Sequence, residues 1–450
     1  MLLTLILLVL FLIKVTPSDD IKLFSTTVTS NSTCLLRAEL DALQDLFIST
    51  KGDSWLWEPL LFGNIWNFTS NPDPCGDNWQ GVLCSNVTST GNCSIYKLDL
   101  NNYNLQGYIP NSINNLTLIK YIDLSQNNIT STIPYTLSTL KNLQYLDLCV
   151  NNIIGSIPNQ LDNIIQLEYL CLGSNYITNT IPIEIGNLTN LIFLYLEQNK
   201  LIGTIPYSIN NLIKLKYLDL SSNLITNTIP NNLSNLINLI YLDFSFNFIY
   251  GSIPINIYTL PNLEELMLSH NNLNGQLKFP NYSQIEFIEL NNNHFTSSIP
   301  IEIYYFTQLQ YFDISNNYII NTIPLEIGQL TKLLLLDLSN NQITGSIPPS
   351  IGYLQQLYFL YLENNLMIGT LPMELGNLTG LYYLFLSNNA YTGTIASSLG
   401  QIKSLVGIDL SYTVLTGSIP SELCEISSLY SITLNNAVLS GTIPESLGEL

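Results

Sequence analysis

From about Tyr96 to the last residue the chain repeats itself every 24 residues, and this period decides most of what it can fold into. The copy that starts at Leu143 reads LQYLDLCVNNIIGSIPNQLDNIIQ. An Ile-Pro landmark falls at Ile109-Pro110 and returns with Pro134, Pro158, Pro182, Pro206, Pro230 and Pro254. It resumes with Pro300, Pro324, Pro348, Leu371-Pro372, Pro420 and Pro444. Counting Leu277 and Ile395, where the proline is missing, gives fifteen turns.

One turn can be read physically. The Leu146-Asp147-Leu148 core alternates with period two and predicts a short strand. Three residues later stands an asparagine, as at Asn127, Asn151, Asn175, Asn199, Asn223 and Asn247. Stacked turn on turn, such amides can satisfy the backbone of the bend after each strand. Proline then fixes chain direction, and an x-x-L-x-x-L segment returns over the outer face. A single turn cannot bury its own Leu and Ile, so neighbours must stack. The expected fold is an α/β solenoid, a right-handed superhelix with a parallel concave β-sheet on the order of 65–70 Å long.

Composition narrows the partners. The chain is 46% hydrophobic and 10% charged, with 33 acidic against 13 basic residues and a formal charge of -20. Phosphate binding needs clustered Lys and Arg, so nucleic acid is excluded as a partner. The acidity suits a basic ligand or a cation; it equally suits solubility alone. Leu2 to Ile13 form an apolar run of secretory length. The expected organisation is a signal peptide over 1–18, a polar linker over 19–33, a cap over 34–95 and the solenoid over 96–450. Ten N-x-[ST] sequons fit that route: Asn31, Asn67, Asn86, Asn92, Asn115, Asn128, Asn187, Asn232, Asn281 and Asn377. Four of the seven cysteines cluster before the repeats, as in a small cap that needs covalent help.

The pattern L-x-x-L-x-L-x-x-N-x-I-x-G-x-I-P resembles the plant-type leucine-rich repeats of receptor-like kinases, receptor-like proteins and polygalacturonase inhibitors. The cap strengthens the resemblance. Trp55 and Trp66 precede Asp73-Pro74-Cys75 and Trp79-Gln80-Gly81-Val82-Leu83-Cys84, similar to the family's W…DPC…WxGVxC. It implies a Cys75–Cys84 disulfide, with Cys34–Cys93 as the remaining pair. It also implies an extracellular or cell-surface module that binds a protein, peptide or glycan.

Binding is expected where side chains flanking each L-x-L face the concave side. The column before the core is aromatic at Tyr121, Tyr145, Tyr169, Phe193, Tyr217, Tyr241, Phe287, Tyr311, Phe359 and Tyr383. The column inside it is acidic at Asp99, Asp123, Asp147, Asp219, Asp243, Glu289, Asp313, Asp337 and Asp409. Such a groove could offer tyrosine contact area and select cationic groups, or the Y-L-D-L-S run could be scaffold. Positions that break the pattern are the better candidates: Tyr195 with Glu197, Glu265 with Met267, and Tyr361 with Glu363.

Chemistry is harder to find. His270 and His294 fit no metal-binding spacing, and no nucleophile elbow, Walker loop or kinase signature is present. No cofactor, metal or catalytic residue is expected. Cys149 and Cys171 fall on neighbouring strands at a diagonal offset of about 8 Å, outside disulfide range. The spacing shrinks to 22 between Leu268 and Leu290, which should alter curvature. The repeat asparagine becomes Thr413 and Ala437 in the last two turns, and the chain stops inside a repeat without a closing cap. A fragment of a longer protein is expected, with any membrane association supplied by the missing part. The alternatives to a soluble binder are therefore a receptor-kinase ectodomain, a secreted hydrolase inhibitor and an adhesive matrix protein.

Overall fold

The computed structural model describes residues 34–57, 63–69, 71–85 and 92–446. The expected signal peptide and linker, and the sequons Asn31 and Asn86, lie outside the described residues.

The cap opens with one α-helix, Arg37–Ser49, whose Leu40, Leu43 and Leu46 are buried. Beyond it, Trp55, Trp66 and Trp79 pack as an aromatic block, with Trp66 and Trp79 stacked 5.6 Å apart. Two indole donors are satisfied internally: Trp55 Nε1 donates to Thr50 O at 3.0 Å and Trp66 Nε1 to Gln80 O at 2.7 Å. Disulfides join Cys34 to Cys93 and Cys75 to Cys84. The strand Val82–Cys84 then pairs antiparallel with Ile95–Asp99 and seeds the solenoid.

From Ile95–Asp99 onward, fifteen strands form one parallel sheet that ends at Ser431–Thr433. Most are three residues long and pair without slippage, as in Tyr145↔Tyr169 and Leu146↔Leu170. The apolar residues of each core are buried up to Ile408 and Leu410, those of the last turn, Ile432 and Leu434, are partly buried, and the hydrophobic core runs from the cap to Leu429.

Three residues after the strand stands a left-handed residue that is not glycine: Gln126, Val150, Ser174, Gln198, Ser222, Phe246 and His270 all have φ between 51° and 55°. Asparagine stabilises this costly bend. Asn151 Nδ2 donates to Leu124 O at 2.9 Å, Leu148 O at 3.2 Å and Cys149 O at 3.3 Å, while its Oδ1 accepts from the Ile129 amide at 3.0 Å. The same amide geometry recurs through Asn389, so a single side chain serves the previous turn as well as its own.

After the asparagine the chain extends a second time, which the sequence reading did not anticipate. Short strands such as Tyr176–Thr180, Lys200–Gly203 and Phe248–Gly251 build a seven-stranded flank sheet, followed by a four-stranded one. Gly155 and Gly203 sit there with φ of 83° and 80°, and an added Cβ would strike the methyl of Thr132 or Thr180 in the preceding turn. Proline then caps a five-residue 3₁₀ turn on the outer face, as in Tyr135–Thr139 with Leu137 buried.

One expectation needs revision. Cys149 and Cys171 form a disulfide with Cα atoms 5.4 Å apart. The 8 Å estimate carried the strand straight past Asp147. In fact the strand stops at Asp147 and the chain bends at Val150, bringing Cys149 back over its neighbour. The shortened turn leaves the main sheet in register, with Glu265↔Phe287 paired normally. The missing residues come out of the return segment, which has no 3₁₀ turn between Ile255–Thr259 and Ile301–Tyr305. Tyr258, fully buried against Phe279 and Phe306, fills the vacated space.

Candidate binding site on the concave sheet

The regular turns tie their own polar groups together. Asp123, Asp147, Asp219, Asp243, Asp313, Asp337 and Asp409 each accept from the backbone amide two residues on, at 2.7–2.9 Å. The second oxygen often takes a tyrosine: Tyr145 Oη donates to Asp147 Oδ2 at 3.2 Å, and Tyr241 does the same to Asp243 at 3.3 Å. Where Cys171 replaces aspartate, Tyr169 reaches back to Asp147 at 3.3 Å. The rings stack between turns, Tyr121 on Tyr145 at 4.1 Å and Tyr145 on Tyr169 at 4.2 Å. These residues hold the sheet edge and have little left to offer a ligand.

Burial raises several of these carboxyls. Desolvation pushes Asp147 up to about 6, and pushes Asp219 and Asp313 well above the usual carboxylate range with neighbouring acids adding to the effect.

Two turns depart from this arrangement in the same way. Tyr195 occupies the aspartate column and Glu197 the position of the following serine; Tyr361 and Glu363 repeat the exchange. The hydroxyl of Tyr195 and the Oε2 atoms of Glu197 and Glu363 are buried without a hydrogen-bond partner. Burial raises both glutamates to about 7, helped by Asp147 and Asp243 near Glu197 and by Asp337 and Asp409 near Glu363. Gly173, one turn earlier, makes room: a Cβ there would collide with the Glu197 carboxylate. Sequence reasoning missed that partnership, although a glycine where other turns carry serine or cysteine was the available signal.

Between these two turns lies the third exception. Glu265 stands in the aromatic column opposite Tyr241 and Phe287, and Met267 stands opposite Asp243 and Glu289. Tyr241 Oη lies 4.0 Å from the Met267 sulfur. Burial raises Glu289 to about 7, with Asp243 contributing. Tyr217, Tyr311 and Tyr383 take their expected places on the same face, Tyr311 stacking on Phe287 at 4.0 Å. The sheet thus carries acids and rings on one continuous strip, but Tyr195 and Tyr361 are seven turns apart and do not form one pocket.

Other features lie away from this strip. His270 stacks on Phe246 at 4.1 Å, and His294 meets Tyr318 edge-on. Among the described residues, both groups of three close metal-ligating side chains, Cys34/Cys75/Cys93 and Asp147/Cys149/Cys171, are built on disulfide sulfurs.

The repeat geometry agrees with family models. The model for a leucine-rich repeat region matches residues 278–437, and two further leucine-rich-repeat models match 93–153 and three segments between 166 and 236. A solved leucine-rich-repeat protein of Leptospira interrogans is 31% identical, with a TM-score of 0.64, and the match covers 78% of this chain and 86% of that one. The chain belongs to the leucine-rich-repeat family. Within that family its likeness is to plant receptors. The plant peptide hormone receptor RGFR1, solved in complex with RGF2, is 34% identical with a TM-score of 0.74 over 76% of this chain. This leucine-rich-repeat chain spans about half of that receptor chain, 55%. It is also 37% identical over 86 residues to the MDIS1-interacting receptor like kinase 1 of Arabidopsis thaliana, a stretch that is 19% of this chain and 8% of that protein.

Proposed function

We propose that the protein is an extracellular recognition module whose concave sheet binds a peptide carrying cationic groups, in the manner of a receptor ectodomain. One observation carries the reading: the Tyr195 hydroxyl and the Oε2 atoms of Glu197 and Glu363 are buried and unbonded on a sheet whose aspartates bond within their own turns. Unpaired buried oxygens cost free energy, and a ligand donor would recover it. A lysine or arginine side chain would also hold both glutamates ionised. Tyrosine rings supply the contact area beside them.

The peptide-bound receptor RGFR1 supports this ligand class. Three disulfides support an oxidising compartment, and no described helix is long and apolar enough to cross a membrane. Of the described sequons, Asn115, Asn187, Asn232 and Asn377 stand on the outer 3₁₀ turns and Asn128 on a flank strand, so glycans at these five would leave the concave sheet open.

The experiment is selection from a randomised peptide library on the immobilised protein. Enrichment of lysine- or arginine-bearing peptides that no longer bind the Tyr195→Ala/Tyr361→Ala variant is the expected result. Peptides that bind this variant as well as the parent protein would refute the site.

A further inference from the structure

We propose that the flank sheet is a second binding face, independent of the concave one, for a neutral and extended polysaccharide chain lying along the solenoid. The first observation is charge. After each repeat asparagine the chain presents two outward columns, one and three residues on. Between Asn128 and Ser440 these columns contain none of the 33 acidic residues, and Lys200 is their single charged side chain. In a chain of net charge -20 this face is suited to an uncharged partner and gives no purchase to a polyanion.

The second observation is periodicity. The outer column alternates Thr and Ile from Thr130 to Thr226 and again from Thr296 to Thr392. Ile154, Ile202, Ile320 and Ile368 in it are 40–54% exposed. Adjacent strands lie about 4.8 Å apart. That is close to the advance of one pyranose unit in an extended chain, so the two-turn alternation corresponds to a disaccharide repeat. Backbone bonds carry the face across the boundary between the two flank sheets, Tyr318 N donating to Phe295 O at 2.8 Å.

The third observation is the chemistry on offer. Thr130, Thr178 and Thr226 each donate their hydroxyl to a glycine carbonyl of the preceding turn at 3.0–3.2 Å. Their donors are thereby used, and their lone pairs point outward as fixed acceptors for sugar O–H groups. The isoleucine side chains and the half-exposed rings of Tyr176, Phe248 and Tyr318, three turns apart in the inner column, suit the apolar C–H faces of sugar rings. Lys200 Nζ sits 5.1 Å from the Tyr176 ring, which leaves Phe248 and Tyr318 as the open platforms. A groove of about 780 Å³ lined by Thr180, Thr204, Thr228 and Tyr207 borders the same columns. The described sequons leave the face clear beyond Asn128 at its amino-terminal end.

The test is retention of the whole protein on suspended cellulose and chitin, with soluble polygalacturonate as the polyanionic probe and cello-oligosaccharide titration for affinity. Expected is retention by at least one neutral polymer, none by polygalacturonate, and about a tenfold loss in Phe248→Ala/Tyr318→Ala with thermal unfolding unchanged. The concave variant Tyr195→Ala/Tyr361→Ala should retain the polymer fully, which separates this face from the proposed peptide site. No retention on either neutral polymer, equal retention by the flank variant, or loss in the concave variant instead would overturn the proposal.

Discussion

The turn that carries Asp243 and the turn that carries Tyr195 share one backbone and differ in what their polar atoms do. In the first, Ser245 N and Tyr241 Oη both bond to the aspartate, and nothing is left over. In the second, the acid has moved two positions along to Glu197, and both its Oε2 and the Tyr195 hydroxyl face no partner. The repeat therefore separates structural from functional demand at single positions. A residue that satisfies its own turn is scaffold, and a residue that breaks the pattern while staying buried is a candidate for something outside the chain.

The largest effects should be indifferent to that distinction. Asn247→Ala in the regular turn and Asn199→Ala in the broken one each remove three donated bonds and one accepted bond. Each should cost about 3–5 kcal/mol in urea unfolding. A much smaller cost for Asn199 would mean that the two backbones are not equivalent. Cys171→Ser opens a link across 22 residues and should cost about 3 kcal/mol, read by thermal unfolding of the variant against the parent.

A pH profile divides the turns more finely. The Glu197 carboxyl is raised to about 7, so the folded state binds its proton more tightly than the unfolded state does. Its contribution to stability is then full below the ordinary glutamate range and is lost as pH climbs through about 7. Glu197→Gln should match the parent near pH 4 and exceed it by about 2 kcal/mol near pH 8. Parallel profiles for variant and parent would show that Glu197 is not desolvated. The smallest effect on folding should belong to Tyr195→Ala with Tyr361→Ala: little change in unfolding, and about a tenfold loss of peptide affinity. Equal loss of stability and affinity would return these tyrosines to the scaffold.

How much of this could be read from the sequence depended on how often a feature recurs. Asn151 and its fellows recur at fixed register, and their role in the bend followed from period and donor count alone. The flank sheet escaped notice because its strands are two to five residues long and lie between the louder signals of Asn and Pro, as at Tyr176–Thr180. The Cys149–Cys171 link was misjudged because strand length was extrapolated through a bend that only a left-handed Val150 reveals. In the site, Tyr195 and Tyr361 stood out as breaks in a column. The buried, unbonded atoms of Tyr195, Glu197 and Glu363, and the space provided by Gly173, depend on packing between turns, which no single repeat encodes.

Calorimetric titration of a selected basic peptide near pH 6.5, in two buffers of different ionisation enthalpy, tests the central claim most directly. If cationic groups engage Glu197 and Glu363, both held near 7 in the free protein, binding should release about 1.5 protons, and Glu197→Gln/Glu363→Gln should abolish the release. Proton uptake, or binding with no proton exchanged in either protein, would contradict the account.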